Sequence, residues 1–178
     1  MPRDPTAAWD KRQPYTEEEV GRLLQVADPT DRVLVLLGAH AGLRASEMVA
    51  LAWGYVDLDA ATVRVERGKG GKAGVVHLSG TTVEALRAIA ATSRVCGFVL
   101  PFRSTQRAYA RIQRLAERAG FKRGKGLHAL RHYCGTRVAS EQGLEAAQQH
   151  LRHSNLSTTQ TYAKWRERIR IKEMVAQW

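Results

Sequence analysis

The chain has 178 residues, enough for one domain with a full hydrophobic core, and 44% of them are apolar. No run reaches the roughly 18 apolar residues of a membrane-spanning helix, and the opening Met1-Pro2-Arg3-Asp4 does not start a signal peptide. Lys and Arg outnumber Asp and Glu by 28 to 17, giving a net charge of +11 and a pI near 10.3, so a polyanion such as DNA or RNA is the expected partner.

The two cysteines, Cys96 and Cys134, lie far apart without CxxC spacing, which argues for two reduced buried thiols and against a disulfide framework or zinc ribbon. Residues 1–15 are rich in Pro and charge and read as a linker or arm. Thr16 followed by Glu17, Glu18 and Glu19 predicts a capping box that opens a helix carrying Val20, Leu23, Leu24 and Ala27 on one face. Asp28-Pro29 stops it. A buried, strongly apolar helix is predicted over 31–41 and ends at Gly42, and a short one follows over 45–52.

Residues 62–66 alternate as a strand, a glycine-rich basic turn runs over 68–74, and residues 75–78 return as the second strand of a hairpin. Helices are then predicted over 82–92, 105–119, 128–141, 144–151, 155–163 and 166–178, with a Lys/Gly-rich loop at 121–126. The fold class is mainly α with a small antiparallel β-sheet.

Four separated segments carry the polar chemistry: Ala41-Gly42-Leu43-Arg44-Ala45-Ser46-Glu47-Met48, the hairpin with Lys69 and Lys72, His128-Ala129-Leu130-Arg131-His132, and Leu151 to Tyr162. Each alone has an ordinary reading. Arg44 can cap the preceding helix with Glu47 as its surface partner, and the two lysines can be solvated turn charges. His128 and Arg131 share a helix face at i, i+3, and Tyr162 can be a half-buried aromatic. His128 and His132 at i, i+4 could chelate a metal, but no third ligand sits nearby in sequence.

Taken together, in this order, the segments resemble the boxes of the tyrosine recombinase (phage integrase) family over about Tyr15 to Tyr162. The resemblance implies that family's catalytic-domain fold and a site-specific DNA recombinase. It implies catalytic roles for Arg44, Lys69, His128, Arg131, His153 and Tyr162. Arg44 and Arg131 would fork onto the phosphate and His153 would donate to a non-bridging oxygen. His128 would accept the proton of the Tyr162 nucleophile, and Lys69 would protonate the 5′ leaving group. Glu47 would orient the arginines, while Lys72 and Arg152 would contact DNA phosphates. Two departures stand out: Arg152 occupies a place where the family usually has glycine, and His77 one where proline is common.

The resemblance further implies a 3′-phosphotyrosyl intermediate and neither metal nor cofactor. The catalytic domain is expected over 16–163. A tail helix over 164–178, with Ile171, Met174, Val175 and Trp178 as its apolar stripe, would dock in cis or on a neighbouring protomer. The expected partner is double-stranded DNA, bound by a homo-tetramer that is monomeric when free in solution. The protein is expected in the cytoplasm of a bacterial host and away from membranes, and the full-length protein would carry a further N-terminal core-binding domain. Phage integration and excision is the favoured role. A Xer-like, plasmid or transposon recombinase is the alternative, ahead of a type IB topoisomerase or a non-catalytic DNA-binding module.

Overall fold

The computed structural model describes residues 13–66, 74–93, 97–122 and 124–152. Helix α1 (Glu17–Val26) opens on the capping box: the Thr16 backbone N–H donates to Glu19 at 2.8 Å and the Glu19 N–H to the Thr16 hydroxyl at 3.2 Å. Asp28 then starts α2 (Pro29–Ala39) by accepting from the Asp31 N–H at 2.8 Å, with Pro29 in the first helical turn, where its missing N–H does no harm. The Asp28-Pro29 pair therefore both ends one helix and begins the next, and α2 starts two residues earlier than the apolar run suggests.

α2 is the centre of the molecule. Val33 to Leu37 are fully buried, and α1, α3, α4, α5 and α6 all pack against it or near its ends. Gly38 allows its closest contact: a Cβ there would lie 2.8 Å from the Leu130 Cβ of α6. Helix α3 (Ala45–Ala50) follows a turn at Gly42, whose φ is +63°.

The sheet has three antiparallel strands in the order β1 (Val56–Asp57), β2 (Thr62–Val65), β3 (Gly74–His77), with Val63 opposite Val76. Val63, Val65 and Val76 face the core. The two-residue β1 and the 3-10 turn before it (Trp53–Tyr55) are absent from the sequence expectation, being too short for any periodicity.

Helices α4 (Gly80–Ser93), α5 (Thr105–Arg118), α6 (Leu127–Gln142) and α7 (Leu144–His150) complete the described fold. Arg111 of α5 bridges Asp28 and Asp31, each at 2.5 Å, and ties that helix to the start of α2. α6 and α7 enclose a smaller core of Cys134, Ala139, Ala147 and Leu151. Cys134 is a buried free thiol whose pKa is pushed up to about 12 by that burial, so it stays protonated. The fold is mainly helical with one small antiparallel sheet, as the sequence predicts. The segments expected as helices over 155–163 and 166–178, the arm before residue 13 and Cys96 lie outside the described residues.

Candidate active site

The site grows from one buried arginine. Arg131, on the first turns of α6, is only 2% exposed. Its guanidinium donates to the Gly42 carbonyl, and to the Leu151 carbonyl at 2.5 Å. Gly42 stands two residues before Arg44, and Leu151 two residues before His153. One side chain thus fastens the turn that carries the first arginine box and the end of α7 to the helix that carries His128. Segments far apart in sequence are joined here by a rigid, planar, permanently charged fork that satisfies a turn carbonyl and a helix-end carbonyl at once.

Arg44 lies at the open side of this cluster as the N-cap residue of α3, with its side chain 41% exposed. Its backbone N–H donates to Glu47 Oε2 at 2.8 Å, and its Nη1 to Glu47 Oε1 at 3.0 Å. Glu47 therefore closes half of a capping box and orients the guanidinium in the same act. Its side chain is 13% exposed and also receives Arg152 Nη2 at 2.9 Å. Burial alone would raise the Glu47 carboxyl. The Arg44 N–H and the charges of Arg152 and Arg131 outweigh that effect and hold it below its ordinary value.

His128 stands one turn before Arg131. Its ring meets His132 edge-on, with centroids 4.2 Å apart. Burial lowers its pKa first, and the Arg131 and Arg44 charges lower it further. At neutral pH it is an uncharged imidazole that can accept a proton.

The described residues thus bring Arg44, Glu47, His128, Arg131 and Arg152 together. Lys69, Lys72, His153 and Tyr162 lie outside the described residues; of the segments next to them, Gly74 of β3 and Leu151-Arg152 are described and meet at the cluster. Sequence reasoning missed two kinds of contact. The carbonyls of Gly42 and Leu151 are the anchor points of Arg131, and backbone acceptors leave no residue-type signal. The ion pair between Glu47 and Arg152 spans 105 residues, and no local spacing announces it.

The Phage integrase family model matches residues 14–168. The chain belongs to that family. Among curated family members, the tyrosine recombinase XerA of Thermococcus kodakarensis is 38% identical over 162 residues, a stretch covering 84% of this chain and 57% of that protein. The tyrosine recombinase XerC of Xanthomonas campestris pv. campestris is 37% identical over 175 residues, covering 90% of this chain and 53% of that protein. This integrase-family chain thus spans little more than half the length of those relatives. A crystal structure of XerA recombinase superposes with a TM-score of 0.76 at 28% identity, covering 84% of this chain and 57% of that one. A lambda integrase dimer bound to a COC′ core site shares the fold, with a TM-score of 0.69 at 16% identity over 85% of this chain and 47% of that one.

Proposed function

We propose that the chain is the catalytic part of a tyrosine recombinase that cleaves and rejoins double-stranded DNA without a metal or cofactor. The observation that carries the reading is the Arg131 staple, which gathers the first arginine box, the His128 helix and the approach to His153 at one place. In-line attack on a phosphodiester builds negative charge on the non-bridging oxygens. Arg44 meets that charge from the open side and Arg131 backs it from the buried side, with His153 as a further donor. Tyr162 Oη attacks phosphorus and passes its proton to His128, neutral for the reason given above. The P–O5′ bond breaks and Lys69, on its glycine-flanked turn, protonates the leaving 5′ oxygen, while Lys72 and Arg152 contact phosphate. The product is a 3′-phosphotyrosyl link, one phosphodiester exchanged for another. A partner strand's 5′ hydroxyl reverses the step, so no outside energy source is required.

The reading extends to a homo-tetramer on DNA, monomeric when free, with the 164–178 tail docked in cis or on a neighbour, acting in the cytoplasm of a bacterial cell. Two biological roles remain in play. Phage integration and excision fits the family and the likeness to the integrase from mycobacterium phage Brujita, at 26% identity and a TM-score of 0.67. A Xer-like exchange is favoured by the higher identity to XerA and XerC. Sequencing of junctions formed in cells separates them: integration joins two replicons, whereas resolution recombines copies within one. The chemistry is tested with a nicked suicide duplex in EDTA. A covalent adduct is expected from the native chain and none from Tyr162→Phe with DNA affinity retained. An adduct from the phenylalanine variant, or a strict need for magnesium, would overturn it.

A further inference from the structure

Arg152 is an anomaly in three respects. Its φ is +53°, in the left-handed region where glycine is at ease and a branched backbone position is strained. The family's usual glycine at this place explains the geometry: the chain keeps the glycine conformation and has placed a long cation on it. That side chain is not turned to solvent. It is 9% exposed, lies along β3 with its Cδ 3.1 Å from where a Gly74 Cβ would be, and pairs with Glu47. Finally, Nε and Nη1 are buried and have no hydrogen-bond partner among the described residues. A buried N–H of a charged group without an acceptor costs at least as much as a lost hydrogen bond.

Glu47 is shared. Arg44 and Arg152 hold opposite oxygens of one carboxylate, at 3.0 and 2.9 Å, and the Arg131 charge acts on the same carboxylate. Three arginines against one glutamate leave the cluster two charges positive, and an anion is the acceptor it lacks. We propose that Arg152 supplies a third guanidinium to the phosphate that Arg44 faces, donating from Nη1 to a non-bridging oxygen while Glu47 fixes its Nη2. This rests on the recombinase reading above and deepens it: the DNA contact is with the scissile phosphate rather than a flanking one, and it is made by a residue in a glycine's place. The Glu47 pairing fixes the fork in advance, so little side-chain freedom is lost when the anion arrives.

The test uses the full chain as native protein, Arg152→Gly and Arg152→Lys. Glycine suits the backbone at this position, so folding is expected to survive, and a thermal melt verifies it. Inorganic phosphate is titrated at constant ionic strength and followed by amide chemical shifts, a readout that needs no cleavage. Arg152→Gly is expected to bind phosphate at least about tenfold more weakly, the loss of one charged donor, with Arg152→Lys in between. Unchanged phosphate affinity in Arg152→Gly would overturn the anion site. Cleavage of a suicide duplex is then compared with that of the same duplex carrying a methylphosphonate at the scissile position, where a methyl replaces one charged oxygen. Arg152→Gly is expected to slow the phosphodiester by about 10²-fold and the neutral substrate by far less. Equal slowing of both, or selectivity only when the methylphosphonate is moved to a flanking position, would overturn the scissile assignment. A native chain that forms no adduct would refute the recombinase reading, and the phosphate titration would still decide the Arg152 site.

Discussion

Replacing Glu47 with glutamine keeps the shape of the side chain and removes its charge. The carboxylate now takes three donors: the Arg44 N–H at 2.8 Å, Arg44 Nη1 at 3.0 Å and Arg152 Nη2 at 2.9 Å. Glutamine can accept at one oxygen only and turns an NH2 group toward a guanidinium at the other. The Arg44 part is modest, because that side chain is 41% exposed and screened; it is worth up to about 1 kcal/mol. The Arg152 part dominates. Its side chain is 9% exposed and that of Glu47 13%, and removing one partner of a buried pair costs about 3–5 kcal/mol because a charge is left behind. Partial exposure puts the total near the lower end, about 3 kcal/mol, or a fall in Tm of roughly 6–12 °C for a domain of this size. Thermal and urea unfolding measure it. The double variant Glu47→Gln with Arg152→Gly is the control: it removes the stranded charge and the backbone strain together, so it is expected to be more stable than Glu47→Gln alone. A loss below about 0.5 kcal/mol for Glu47→Gln, in the range of a surface substitution, or a double variant less stable than the single one, would refute the reasoning.

Acidification is expected to destabilise the fold early. His40, His128 and His150 are all held below their ordinary 6.5, by burial first and then by arginine charges: Arg137 beside His40, Arg131 and Arg44 beside His128. In the window below pH 6.5 the unfolded chain binds more protons than the folded one, so stability falls as pH drops through that window and is fully present above it. The Glu47 contribution is lost only below its ordinary 4.5; a Tm that stays flat from pH 8 to 5 would contradict the histidine account. Gly42→Ala is expected to cost more than about 2 kcal/mol, because φ is +63° and the new Cβ would fall 2.4 Å from Leu151 Cδ2. Since Leu151 also gives its carbonyl to Arg131, cleavage should fall with stability, and an alanine variant as stable as the native chain by urea titration would contradict this steric account.

What could be read in advance follows from how local the determining physics is. The capping box at Thr16 and Glu19 closes within four residues, and it appears as written. The apolar run of α2 is buried almost throughout because five helices lie around it. The hairpin strands alternate because one face meets the core. Errors lie at ends: Asp28-Pro29 reads as a stop from one side and is an N-cap from the other. The short β1 exists only because β2 offers it hydrogen bonds, a tertiary cause with no sequence period. The residue set around Arg44, His128 and Arg131 was legible through spacing and family resemblance, since side-chain identity carries that chemistry. Its fastening was not, since backbone carbonyls do the fastening.

Arg152 shows the limit most clearly. A sequence reader meets an arginine where a glycine is usual and can suppose either a disturbed backbone or an added cation. The structure has the glycine backbone and the added cation together. The strain of a left-handed arginine persists only where surrounding contacts over-determine it, and here the contacts are Glu47, Gly74 and the adjacent Leu151 carbonyl held by Arg131. Each of those contacts belongs to a segment already placed at the site by other means. Glu47 and the Leu151 carbonyl, which hold the strained residue and its neighbour, are the same groups that position Arg44 and Arg131. That coincidence is what makes a functional reading of the strain stronger than an accidental one.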